Sequence, residues 1–242
     1  MSRVQEFGMV TALLEETLDW VALGHEYCHD GGEAFFEGEQ REAIREAGFL
    51  MAADLKDSLG ALPDDSPGQS LWVGAAVAEL VPILTDHLVL GRTVHWHNID
   101  CAETTELNRA LEFVERETGV ALPRINTQRC PTRDRYDLLW VVSVLTDPDA
   151  FPALHFHFYE RQDAAGIVRP GQLDEEGKRA EEWTRNLLGQ LAVPGVLVTT
   201  DEEFGFFKAA ADADSRSLVV PQQGRLSGIV GDLVRFYPVD QG

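Results

Sequence analysis

The chain has 242 residues and carries 20 Lys and Arg against 41 Asp and Glu, a formal net charge of −21. Hydrophobic residues make up 44% and charged residues 25%, a globular composition with ample length for a core. On so negative a surface, with no run of Lys or Arg to reverse it, neither autonomous nucleic-acid binding nor attachment to anionic membranes is expected.

The charge is uneven. Residues 1–65 hold 15 acidic and 4 basic residues, so about a quarter of the chain carries half of the excess. Pro63-Asp64-Asp65-Ser66-Pro67-Gly68 is rich in turn formers and reads as a boundary. An acidic helical extension or lid over 1–65 and a main domain over 66–242 are therefore expected. No apolar stretch follows Met1-Ser2-Arg3 as a secretion signal would require, and no run is long enough to span a membrane. Cys28, Cys101 and Cys130 are scattered and form no Cys-x-x-Cys pair, which disfavours a disulfide framework. A cytoplasmic protein is the expectation.

Phe7, Val10, Leu14, Leu18 and Val21 recur at helical spacing, and Gly31-Gly32 breaks the pattern. A second helix is predicted over about 34–59, with Ile44, Ala47, Met51, Leu55 and Leu59 on one face. Between them His25-Glu26-Tyr27-Cys28-His29 reads literally as His-Glu-x-x-His, the pattern of a zinc hydrolase, with Glu26 as base and Asp30 or Glu33 as third ligand. Five common letters at a helix end arise by chance, and no further ligand follows at a fixed spacing. No metal is assigned; His25, Tyr27 or His29 serve equally well as lid residues.

After Gly68 strands alternate with helices. Leu71-Trp72-Val73 enters Gly74-Ala75-Ala76 and a helical pattern through Val77, Leu80, Val81 and Leu84. A strand is predicted over 93–100, a helix over 103–118, a weak strand over 123–127 and a central strand over 136–145. Segments 150–161 and 173–191 look helical, and strands follow over 195–200, 217–222 and 232–237. His95 and His97 share one face of the second strand and read as packed side chains, as do His155 and His157 in an aromatic helix that is core or a dimer surface. Cys101 reads as a small buried residue. The alternation argues an α/β doubly wound sheet with ligands at the carboxyl ends of its strands.

Four segments in this order, LWVGAAVAEL, NID, YDLLWVVSVL and LAVPGVLVTT, make residues 70–238 resemble the class I S-adenosylmethionine-dependent methyltransferase fold. The resemblance covers about seven-tenths of the chain. It implies a seven-stranded Rossmann-like sheet with a C-terminal antiparallel hairpin, and S-adenosylmethionine as cofactor. It implies a glycine-rich turn at Gly74 and Ala76, and ribose binding by Asp100 beside Ile99. Asn126 then falls on the adenine side, and Ser143 at the end of the fourth strand. The implied activity is methyl transfer to a small molecule or a protein side chain. No catalytic residue follows, because no Asn/Asp-Pro-Pro-aromatic motif ends the fourth strand. The turn itself departs from the family: Trp72 replaces its acid, and Ala76 and Ala78 replace two glycines. A non-catalytic scaffold or dimerising protein that has lost cofactor binding is the alternative, with the zinc hydrolase third.

Overall fold

The apolar runs after Gly68 assemble into one mixed sheet. A computed structural model describes residues 1–27, 36, 38–63, 66, 68–128, 135–159, 168–229 and 231–242. Its strands are β1 (Gln69–Val73), β2 (Thr93–His97), β3 (Ile125–Asn126), β4 (Tyr136–Val141), β5 (Leu191–Thr200), β6 (Arg216–Leu218), β7 (Arg225–Leu226) and β8 (Leu233–Gln241). The helices are α1 (Arg3–Thr17), α2 (Trp20–Tyr27), α3 (Glu39–Gly60), α4 (Leu80–Leu84), α5 (Ala102–Thr118), α6 (Pro152–Phe158), α7 (Gln172–Leu188) and α8 (Asp201–Ala213).

The strand order is β3-β2-β1-β4-β5-β8-β6, with β7 also on β8. β1 through β5 run parallel, and β8 runs antiparallel to β5. This is the class I methyltransferase arrangement, and the antiparallel β8 separates it from nicotinamide-binding Rossmann sheets. The count is eight strands, not seven. β6 and β7 pair with opposite ends of the same β8 edge, so an interrupted edge strand takes the place of a continuous one.

Alternation along the central strands sends their side chains to two faces. Trp72, Trp96 and Trp140 face α1, α3 and α5, where Val10, Leu14, Met51, Leu55, Leu107 and Leu111 meet them in one apolar cluster. Trp72 and Trp140 are register partners and stack at 4.3 Å. Leu71, Val73, Leu139 and Val141 face the opposite way, toward α7 and α8.

That second face is covered unevenly. The β3–β4 connection is only residues 127–135, and none of its described residues is helical. Register pairs Leu71 with His95 and Val73 with His97, so both histidines point to the side where, among the described helices, α7 lines a cleft. At the opposite, amino-terminal edge of the sheet, Arg92 lies between the buried carboxylates of Asp86 and Asp137. Asp86 in turn accepts from Ser70 and Trp72. The Asp of the fourth-strand motif, Asp137, is thus part of a buried ion cluster and is not among the residues lining the cleft.

Two further departures from the expected elements have local causes. β4 ends at Val141, not near 145, because Ser143 takes a left-handed φ of 56° and the amides of Ser143 and Leu145 turn to Glu203. α8 follows β5 with no intervening loop. Thr200 caps it by accepting from Glu203 N at 3.3 Å, and Asp201, Glu202 and Glu203 fill its first turn.

Candidate functional site

In an open parallel sheet, ligands lie beyond the carboxyl ends of the strands, at the point where strand order reverses. β1 occupies that point, with β2 on one side and β4 on the other. A cleft of about 330 Å³ opens there. Val73, Gly74, His97, Asn98 and Ile99 form its floor, Thr127, Gln128 and Val144 its rim, and Trp183, Asn186 and Leu187 of α7, with Gln190 just after it, its wall.

Gly74 is required twice. Its φ is +71°, and a Cβ there would fall 2.4 Å from Val144 Cγ2. Its amide donates to His97 O at 2.9 Å, which ties the turn to β2. The next carbonyl, Ala75 O, accepts from Trp96 Nε1 at 2.8 Å and from Asn98 Nδ2 at 3.1 Å. Asn98 Oδ1 accepts from Ile99 N at 2.8 Å, and Ile99 itself is 65% exposed at the lip. The Asn98 side chain therefore holds the β1 turn and the end of β2 together.

Beyond Gly74 the turn is closed by acids. Ala76 N donates to Glu79 Oε2 at 2.9 Å and Val77 N to Glu103 Oε1 at 3.1 Å. Burial raises Glu79 to about 7, its bond from Ala76 opposing this and nearby Glu103 adding to it. His97 is buried, with Nδ1 3.3 Å from Gln128 O; desolvation holds it below the ordinary imidazole range. His95 contacts Gln69 Oε1 at 3.2 Å and stands edge-on to Tyr136.

A second polar group sits behind Val144. Asp232 Oδ2 accepts from Ser143 Oγ at 2.9 Å and from Tyr159 OH at 2.7 Å. Glu203 accepts from Ser143 N at 3.1 Å, Leu145 N at 2.6 Å and Thr199 Oγ1 at 3.0 Å, and burial raises it to about 7. Burial first, then Asp232, pushes the Tyr159 phenol well above its ordinary range. That hydroxyl stays a donor at neutral pH.

The residues named from sequence are only partly brought together. Gly74 and Ile99 line the cleft; Ala76 lies buried behind it with its amide engaged. Asp100 is exposed and outside the lining, and the N-cap of α5 is the half-buried Cys101. Asn126 is also exposed; its Oδ1 accepts from Gln128 N at 2.9 Å and so positions a lining residue. Ser143 turns toward Asp232, leaving Val144 in the cleft. Gln128, which stands with Asn126 where the resemblance implies an adenine contact, lines the cleft, whereas sequence reasoning missed Asn98 and the wall formed by Trp183, Asn186, Leu187 and Gln190. Period-two parity from Val73 could have flagged His97, but nothing local marks Trp183, Asn186 or Gln190. His25 and Glu26 are exposed at the end of α2, whereas Cys28, His29, Asp30 and Glu33 lie outside the described residues. Among the described residues no three His, Cys, Asp or Glu side chains are grouped to hold a metal.

Compared by sequence, the chain matches no family model and no curated protein. Compared by structure, it is similar to TrmN from Thermus thermophilus, at 15% identity over 82% of this chain and 52% of that one, with a TM-score of 0.43. A S-adenosylmethionine-dependent methyltransferase from Clostridium acetobutylicum matches at 9% identity over 89% and 99% of the two chains, TM-score 0.43. The O-methyltransferase NcsB1 of neocarzinostatin biosynthesis, solved with S-adenosyl-L-homocysteine, matches at 11% over 100% and 71%, TM-score 0.37. The chain spans about half the length of TrmN and of other large structures it matches.

Proposed function

We propose that the chain is a S-adenosylmethionine-dependent methyltransferase that holds the cofactor's nucleoside in the cleft over β1 and β2. The observation that carries this reading is Gly74: left-handed, pressed against Val144 and opening onto a 330 Å³ cleft at the strand-order reversal. The lining suits a nucleoside. Ile99 and Val144 offer apolar contact to a base, while Asn98, Thr127 and Gln128 offer polar atoms to its edge and sugar. Asp100, exposed one residue beyond the lip, is the carboxylate closest in sequence for the ribose hydroxyls. When bound, the cofactor supplies a methyl group on a sulfonium, and the chain's own part is alignment and exclusion of water. Ser143, Tyr159 and Asp232 form the polar cluster nearest the end of β4. A small-molecule or side-chain acceptor would be positioned there by two hydroxyls held on one carboxylate.

Calorimetry with S-adenosylhomocysteine tests the reading. Binding to the wild type is expected, with a loss of at least about tenfold, 1.4 kcal/mol, in Gly74→Val. Far-ultraviolet circular dichroism establishes that the variant is folded. The acid-filled turn favours the rival reading, a scaffold that no longer binds cofactor. No heat and no thermal shift at millimolar ligand would decide for that rival.

A further inference from the structure

Backbone amides in the turn after the first strand of an open α/β sheet are the usual cradle for an anionic group of the ligand. In this chain three of them are already engaged. Gly74 N donates to His97 O, Ala76 N to Glu79 Oε2 and Val77 N to Glu103 Oε1. The two carboxylates come from different elements, Glu79 from the turn itself and Glu103 from the first turn of α5. Both are buried, at 7% and 8% exposure, and neither lines the cleft. The residue types of the turn agree with this geometry. Ala76 and Ala78 stand where glycines would let a ligand approach the backbone, and both are buried. A carboxylate arriving from the cleft would have to displace an internal carboxylate from an amide and leave it buried without its donor, a costly exchange.

We infer that Glu79 and Glu103 are specificity determinants that close the anion cradle of the turn, so that the cleft binds a sulfur nucleoside through base and sugar and gives no hold to an amino-acid tail. The inference rests on the nucleoside reading of the cleft and goes beyond it, because it separates ligands that share one nucleoside. The tail's ammonium gains nothing from the two acids, which lie behind the turn. Donor and product are then both held through the nucleoside and the sulfur, not through the carboxylate.

The test is a pair of titrations on the full chain at pH 7.5, with 5′-methylthioadenosine and with S-adenosylhomocysteine. The expected result is a dissociation constant for methylthioadenosine equal to that of S-adenosylhomocysteine within about threefold, or lower. S-adenosylhomocysteine binding tenfold or more tightly would overturn the inference and leave the nucleoside reading standing. Failure of both ligands to bind a folded protein would refute the nucleoside reading, and the inference with it. Glu103→Ala, which frees Val77 N, is expected to shift the affinity ratio toward S-adenosylhomocysteine by about threefold or more. An unchanged ratio in that variant also overturns the assignment. Should the alanine variant not fold, Glu103→Gln, which keeps an oxygen for Val77 N, is expected to hold the wild-type ratio, and a tenfold shift there would overturn it.

Discussion

Two single carboxyl groups set how this protein responds to pH. Glu79 and Glu203 are fully enclosed, and burial raises each from an ordinary 4.5 to about 7. In the unfolded chain both are already ionised above pH 5, so the folded state binds the extra protons. Stability therefore falls as pH rises through 7, when both must ionise inside the protein. His97 acts in the opposite sense, but only below its ordinary 6.5, because its folded form is held neutral by burial. Between pH 6.5 and 8 the carboxyls outweigh the tail of the imidazole titration. Urea unfolding is expected to show a net loss of about 1 kcal/mol over that interval, more than half of it abolished in Glu203→Gln. A flat or rising profile would show that these groups are not enclosed as described. Neither residue was marked as a titrating group in the sequence. Nothing local marks the burial of Glu79, and the nearby Glu103 that adds to its shift comes from α5. Gly74 was legible because a turn at the end of an apolar strand demands left-handed backbone. Asn98 was not, since its task is to bind a carbonyl at the end of the neighbouring strand, 23 residues away in sequence.

At the scale of elements, legibility followed periodicity. β4 is apolar at all positions but Asp137 and β1 at its last three, both strands are buried on both faces, and α5 repeats Leu107, Ala110, Leu111 and Val114 before the left-handed Gly119 ends it. α8 escaped notice because its cap, Thr200, is also the last residue of β5, which leaves no loop to announce a helix. What joins the elements was also invisible. Arg92, with its side chain 12% exposed, bridges Asp86 before β2 and Asp137 in β4, and its Nη2 donates to Gln69 O in β1. These residues are scattered through the sequence, and no spacing links Arg92 and Asp86 to the Asp137 of the fourth-strand segment. Removing one partner of a buried ion cluster leaves charge without compensation, typically about 3 to 5 kcal/mol. Arg92→Met is expected to lose that much stability by chemical denaturation, with ligand binding in the remaining folded fraction preserved because the cluster lies at the amino-terminal edge. A loss below about 1 kcal/mol would mean that the cluster is solvated.

For the whole molecule, the question raised by the charge becomes one about residues 1–65. That segment holds half of the excess negative charge, yet its apolar side belongs to the same cluster as the tryptophans of the sheet. Val10, Leu14, Leu18, Ile44, Met51 and Leu55 are all buried there. At about 2 kcal/mol for each buried side chain, the six contribute on the order of 10 kcal/mol, comparable to the whole stability of a domain. Polar contacts reinforce the docking: Arg225 of β7 grips Asp54 of α3 at 2.7 and 3.1 Å, and a Cβ on Gly228 would fall 2.8 Å from Ile44 Cα. A lid can be removed without unfolding what it covers; a layer of the core cannot. We predict that the fragment 66–242, expressed alone, gives no cooperative thermal transition and binds a hydrophobic dye, whereas the full chain unfolds in one step. The fragment keeps a net charge of −10, so precipitation would report exposed apolar surface and not lost electrostatic repulsion. A fragment that unfolds cooperatively within a few degrees of the full chain would instead make residues 1–65 a detachable extension, and their acidic faces would then be free to act over the cleft.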